Sequence, residues 1–203
     1  MKITHFFLTG ATLLFLTYCA QDPLETLEQK NDRGQLERFQ RRKDTQKREG
    51  LYQRYATDGV LLEEAHFLAD SLEGERKYFS ATGQLESIER YQNNKIHGKF
   101  QSFYPDGKIK IEQDFVQGTL EGLSIRYYPN GQIQERVQLK NNVENGPFTE
   151  YHENGQLKTE GTYAPNEDGD GLENGELKEY DESGQLIRVA DCQNGMCLTK
   201  WKK

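Results

Sequence analysis

Glycine falls on a fixed beat through this chain, and the beat decides what the chain can fold into. Gly50, Gly74, Gly98, Gly122 and Gly146 stand 24 residues apart, and Gly175 follows after 29. A second column, Gly59, Gly83, Gly107, Gly131, Gly155 and Gly184, trails the first by nine residues each time. A repeat of this length marks a quasi-one-dimensional stack of supersecondary units, each touching mainly its neighbours. Such a stack presents a long surface rather than one deep catalytic pocket.

Within each unit the apolar residues hold fixed places after the first glycine. Five residues on comes an aromatic: Tyr55, Phe79, Phe103, Tyr127, Tyr151 and Tyr180. Eleven residues on comes Leu61, Leu85, Ile109, Ile133, Leu157 or Leu186, and seventeen on Phe67, Tyr91, Phe115, Leu139, Tyr163 or Cys192. All three offsets are odd, so in extended strands they are expected to share a face until a turn resets the register. The even positions are largely Arg, Lys, Glu, Gln and Ser, the pattern of half-buried strands rather than of helix.

The turns are legible too. Tyr104-Pro105-Asp106-Gly107 and Tyr128-Pro129-Asn130-Gly131 place Pro, then Asp or Asn, then Gly. Pro presets φ for a type I turn and Gly takes the left-handed position after it, which makes a three-residue hairpin loop with a bulge. That loop sets the aromatic at offset five opposite the aliphatic at offset eleven. A second turn falls at Asn93-Asn94, Gln117-Gly118 and Asn141-Asn142. Each unit is therefore expected to be one β-hairpin. A lone hairpin is marginal in water, but stacked hairpins bury their aromatic columns. The expected fold class is all-β, an elongated antiparallel array of about six hairpins.

The pattern Gly-x4-[Tyr/Phe]-x3-Gly-x-[Leu/Ile] resembles the MORN repeat in its bacterial MORN-variant form, a family often labelled antitoxin-like. The match is clearest over residues 98–115, 122–139 and 146–163 and spans 50–191, with units starting at 50, 74, 98, 122, 146 and 175. The resemblance implies elongated hairpin arrays serving as protein-interaction or membrane-associated scaffolds, and it brings no catalytic residues. Some units depart from the pattern. The first has Val60 and a Leu61-Leu62 pair, residues 164–174 are an insertion, and Gly34-Gln35-Leu36 reads as a decayed half-repeat.

Residues 1–18 read as a secretory signal peptide. Lys2 precedes an apolar run over 6–16, which suits a signal h-region and falls short of the ~20 residues a spanning helix needs. Leu16-Thr17-Tyr18-Cys19 resembles a lipobox, which makes Cys19 the candidate lipidation site. Tyr18 departs from the small residue usual there, as in the relaxed lipoboxes of spirochaetes and some other bacteria. An ordinary secretion signal with an incidental cysteine is the alternative. Two or more acyl chains would give stable attachment. Residues 19–49 then read as the lipidated cysteine and a polar tether. Its basic cluster, Arg38, Arg41, Arg42, Lys43, Lys47 and Arg48, is either solvated or drawn to anionic head groups.

Lys and Arg number 26 against 33 Asp and Glu, a formal net charge of −7. With both signs interleaved along the repeats, nucleic acid is not an expected partner, because its binding needs clustered cations. With Cys19 lipidated, Cys192 and Cys197 remain. Asn194-Gly195 between them signals a turn, so a disulfide is expected to staple the cap over 192–203. A zinc or redox site is the alternative reading of the pair. Asn166, Asp168, Asp170 and Gly171 match the opening of a calcium loop, but Leu177 stands where its bidentate Glu belongs. They form a weak calcium candidate beside the reading as a solvated acidic loop. His66, His97 and His152 fall at unrelated offsets.

No nucleophile motif or phosphate loop appears, so the chain is expected to be no enzyme and to need no cofactor. The leading expectation is an exported lipoprotein of the cell membrane or outer membrane. It would be a non-catalytic scaffold whose partners are the membrane, through its lipid anchor, and an unidentified protein. The rival readings are a surface adhesin and an immunity-type inhibitor of an envelope-delivered toxin.

Overall fold

The computed structural model describes residues 23–203, so the expected signal peptide and Cys19 lie outside the described residues. The described chain forms 18 β-strands, with no helix among them. In order they are β1 (Leu24–Lys30), β2 (Leu36–Arg42), β3 (Arg48–Tyr55), β4 (Leu61–Leu68), β5 (Ser71–Phe79), β6 (Leu85–Gln92), β7 (Lys95–Ile96), β8 (Gly98–Phe103) and β9 (Ile109–Val116). There follow β10 (Thr119–Leu120), β11 (Gly122–Tyr127), β12 (Ile133–Lys140), β13 (Val143–Tyr151), β14 (Leu157–Pro165), β15 (Gly171–Glu173), β16 (Gly175–Tyr180), β17 (Leu186–Gln193) and β18 (Met196–Lys202). Each pairs antiparallel with its neighbours along the chain, giving one open meander sheet. The short strands β7, β10 and β15 lead into the longer strands that follow and share a pairing partner with them. The sheet ends on β1 and β18.

Both glycine columns lie at positive φ, which explains why the beat is so regular. The first column runs from 81° at Gly74 to 122° at Gly146, and the second from 79° at Gly83 to 91° at Gly59. A side chain at such a φ strains the backbone. The second column closes the hairpin loops. In the Pro105 loop the Gly107 amide donates to Tyr104 O at 2.8 Å, and the Tyr104 amide to Lys108 O at 2.8 Å. The alternate turns carry positive φ at both central residues, as at Asn93 and Asn94 (51° and 63°) or Asn141 and Asn142 (54° and 67°). That is the two-residue turn whose twist matches the flanking strands.

The register confirms the cross-strand pairing of offsets five and eleven: Tyr55 opposes Leu61, Phe79 Leu85, Phe103 Ile109, Tyr127 Ile133, Tyr151 Leu157 and Tyr180 Leu186. It also corrects the expectation of one shared face. Just before each loop the register shifts, for instance between Arg54 and Tyr55. Gly50 opposes Phe67, Tyr52 Ala65 and Arg54 Glu63, which puts offsets zero, two, four, thirteen, fifteen and seventeen on one face. Tyr55, next along β3, therefore points to the other face. The bulge absorbs one residue, and so the aromatics at offsets five and seventeen lie on opposite sides of the sheet.

The buried side chains all lie on the first of these faces, here called the inner face. One cluster joins Tyr52, Ala65 and Leu72 with Phe39, Phe67 and Tyr91 against it. A second joins Val137, Phe148, Leu177, Ala190 and Cys192, with Tyr163 and Cys197 against it. Phe148 stacks on Tyr163 with ring centroids 4.3 Å apart. Gly161 lies beneath them because a Cβ there would come within 2.7 Å of the Phe148 ring. Between the clusters the inner face mixes the two chemistries, with Phe100 edge-on to Phe115 at 6.3 Å between ring centroids and Gln113 donating to Ser124 Oγ at 3.3 Å.

The segment expected to be a polar tether is different. Residues 24–42 form the hairpin of β1 and β2, which adds a rung before the first repeat. Its loop has the geometry of the others, with the Gly34 amide donating to Asn31 O and Gly34 at φ 74°. Phe39, the one aromatic there, reaches the first core cluster. The arginines are answered locally: Arg38 by Glu28 at 2.7 Å, Arg41 by Glu25 at 2.8 Å, and Arg42 by Asp44 and Glu49. Arg48 lies over the rings of Phe39, Tyr52 and Phe67.

Candidate interaction surface

On the outer face side-chain hydrogen bonds run both between units and within them. Tyr127 Oη donates to Glu112 at 2.8 Å, and Tyr180 Oη to Glu160 at 2.8 Å. Gln101 Nε2 donates to the same Glu112 at 2.7 Å, and Gln53 Nε2 to Glu64 at 3.0 Å. Burial, then the Glu112 carboxylate, pushes the Tyr127 phenol up to about 12. These aromatics are half-buried, so each shows part of its ring to solvent.

Among the described residues the exposed large apolar ones are Leu68, Val116, Leu123, Met196, Leu198 and Trp201. The register puts every one of them on the outer face. Leu68 and Val116 alternate with Phe67 and Phe115, and Leu123 lies between Gly122 and Ser124. Met196, Leu198 and Trp201 oppose Gln193, Asp191 and Val189, which alternate with the buried Ala190 and Cys192. The sheet is thus two-sided: apolar residues sink on one face and stand in solvent on the other.

On the inner face, charge is buried as well. Glu63, 6% exposed, accepts from Arg54 Nη2 at 2.8 Å and pairs with Arg76 Nη2 at 2.7 Å. Burial also pushes the Tyr52, Tyr78 and Tyr163 phenols up to about 12.

Cys192 and Cys197 form a disulfide across β17 and β18, with their Cα atoms 3.9 Å apart. Asn166, Asp168 and Asp170 sit in the loop between β14 and β15. Asn166 Oδ1 accepts from the Asp170 amide at 2.8 Å, and the Asn166 amide donates to Asp170 O at 2.9 Å. These are the bonds of a hairpin loop like the rest. Gly171 follows because a Cβ there would meet Glu144 O at 2.5 Å. Among the described residues no three His, Cys, Asp or Glu side chains group as metal ligands.

Some working residues were not singled out in the sequence. Tyr104 Oη donates to Tyr127 O at 2.7 Å, Tyr128 Oη to Tyr151 O at 2.8 Å, and His152 Nε2 lies 2.9 Å from Tyr180 O. These three occupy offset six of successive units and lace each loop to the next, so His152 belongs to a column after all. At the opposite side Asn94 and Asn142 each bond the preceding unit twice. Their amides donate to Leu72 O and Leu120 O, and their Oδ1 atoms accept from the same residues' amides at 2.7 Å. Three ring side chains at one offset were the available signal.

A two-sided meander of laced hairpins, with glycine closing every repeat's hairpin loop, defines a repeat-array protein. The MORN repeat variant model matches residues 48–69, 72–93, 96–117, 120–141, 144–164 and 173–190. The chain belongs to that family. No curated protein matches it. Among solved structures, the crystal structure of TarM is similar at 14% identity and a TM-score of 0.34, over 59% of this chain and 22% of TarM. A porin-like protein from Bacteroides uniformis ATCC 8492 is similar at 8% identity and a TM-score of 0.24, over 87% of this chain and 92% of that one. This chain spans under a quarter of TarM's length, and at these scores neither likeness bears on function.

Proposed function

We propose that the chain is a non-catalytic scaffold that binds another protein along its outer face, exported and held to a membrane by lipid on Cys19. The observation that carries the binding reading is the sorting of exposed apolar side chains. Leu68, Val116, Leu123, Met196, Leu198 and Trp201 share one face, the one opposite both buried clusters. Apolar residues gathered on one side and rimmed by charge suit a protein contact. The tyrosines beside them add amphipathic area at low entropic cost. The anchoring half rests on the apolar run over 6–16 and the Leu16-Thr17-Tyr18-Cys19 segment.

Photo-crosslinking from Leu123 and Leu198 in intact cells tests the binding half. A discrete adduct from both outer-face sites, and none from a probe at Glu89 on the inner face, is the expected result. Equal labelling from both faces would remove the reading. Mass spectrometry of the mature N-terminus tests the anchor: an unmodified Cys19 ends that half.

A further inference from the structure

Between the first two hairpin loops lies a cavity of about 460 Å3, lined among others by Lys30, Leu36, Arg38, Tyr55, Ala56 and Thr57. Small-molecule sites typically enclose about 300–1,000 Å3. Its position follows from the lacing of the loops. In three later units a ring at offset six bridges one loop to the next, as Tyr104 reaches Tyr127 O, whereas Ala56, Ser80 and Asp181 stand there in the others. The first loop has Asn31 at that place, three residues before its glycine. Asn31 is too short to bridge, and its Oδ1 turns back to accept from the Arg33 and Gln35 amides at 3.0 and 3.1 Å. The space is left open.

The walls have two chemistries. Leu36 opposes Tyr55 across β2 and β3, and with Ala56 and the Thr57 methyl they make an apolar floor. Two cations stand at the rim. The Arg38 guanidinium lies 5.6 Å from the Tyr55 ring centroid, and its Nε is answered by Glu28 at 2.7 Å. The Lys30 ammonium makes no hydrogen bond or ion pair among the described residues. In a chain of net charge −7 this concavity therefore carries an unanswered positive charge beside an aromatic and aliphatic floor. A purely inorganic anion would leave the floor wet, and a neutral apolar molecule would leave Lys30 unpaired.

We propose that this cavity binds a small organic carboxylate with a flat apolar body, the carboxylate on Lys30 with Arg38 beside it and the body on Tyr55 and Leu36. The site opens on the same outer face, at the β1–β3 end of the sheet, and its binding is tested independently of the protein contact proposed above. A charge-assisted hydrogen bond contributes about 1.5–3 kcal/mol, roughly tenfold or more in affinity.

Benzoate, benzyl alcohol and inorganic phosphate are titrated separately into the full-length chain, with the Gly34, Thr57 and Gly59 amide resonances followed by NMR. Benzoate is expected to shift all three saturably, benzyl alcohol to bind about tenfold more weakly, and phosphate to leave them in place. Lys30→Gln is expected to weaken benzoate about tenfold. Thr57→Trp, which fills the space from an exposed position facing Gly34, is expected to abolish binding while the thermal midpoint holds. Benzyl alcohol binding as well as benzoate would reduce the cavity to an apolar notch. Phosphate competing with benzoate, or Lys30→Gln binding benzoate as the native chain does, would overturn the carboxylate site.

Discussion

Phe148 is 4% exposed and stacks on Tyr163 over Gly161, whereas Tyr127, the more conspicuous residue in the repeat, is only half-buried. The two should respond differently to truncation. Phe148→Ala is expected to cost roughly 3–5 kcal/mol in urea unfolding, the range for a large buried side chain. Tyr127→Ala is expected to cost about 1–2 kcal/mol, since it loses part of a ring contact and one bond to Glu112. Equal costs would mean that the inner face is not the core. Ser102 supplies a sharper test. Its Oγ is buried without a hydrogen-bond partner among the described residues. Replacing an unsatisfied polar atom by a hydrogen removes a desolvation penalty of about 1–3 kcal/mol. Ser102→Ala should therefore hold or raise the melting midpoint, an unusual outcome for a substitution in the middle of a sheet.

At the scale of the element, stability comes from ties between units as much as from each hairpin. Tyr128 and His152 lace loop to loop, so Tyr128→Phe should cost about 1 kcal/mol and speed hydrogen exchange at the Tyr151 loop before that at the Tyr104 loop. The last element needs a different tie. β18 is an edge strand whose side chains are nearly all exposed, and Met196 and Leu198 stand 74% and 78% open. The disulfide to Cys192 holds it to β17, while the register shift opposite Lys200 and the lysines Lys200 and Lys202 interrupt the edge as a template for other chains. Replacing Cys192 and Cys197 together by Ser should cost roughly 2 kcal/mol for so short a closed loop. Exchange protection should fall in β18 first and leave β3 to β6 unchanged. Much of this was legible. The proline, asparagine and glycine punctuation located the turns, and the offsets of five and eleven located the opposing pair in every unit. The hairpin over residues 24–42 was harder to see, because its strands carry ion pairs where later units carry aromatics. Arg38 with Glu28 and Arg41 with Glu25 look like linker in a linear reading and like cross-strand partners once folded.

The whole molecule is one sheet with a closed face and an open one, so its response to pH reflects where the tyrosines lie. Tyr52, Tyr78, Tyr127 and Tyr163 are each pushed up to about 12, by burial first in every case. The raised value means that the unfolded chain loses these protons near pH 10 while the folded chain keeps them. Their contribution is therefore complete below pH 10 and is lost as pH rises through 12. The thermal midpoint should fall steadily from pH 10 upward. The fall should be smaller in Tyr52→Phe than in the native chain, and a midpoint flat to pH 12 would contradict the burial of these phenols.

The glycine beat by itself determined that the chain is a stack of hairpins, because a positive φ recurring at fixed intervals favours glycine and one of the two columns closes a hairpin loop each time. It also determined which residues face one another across each hairpin, since loop length sets register. Only the tertiary structure decided which side of the sheet each column occupies. One residue absorbed at every bulge reverses the alternation, and a count of odd and even positions does not register that. The same holds for the lacing of the loops and for the cavity left where Asn31 stands in place of a tyrosine: both depend on how one hairpin sits on the next, which is a matter of packing between units rather than of the pattern within any one of them.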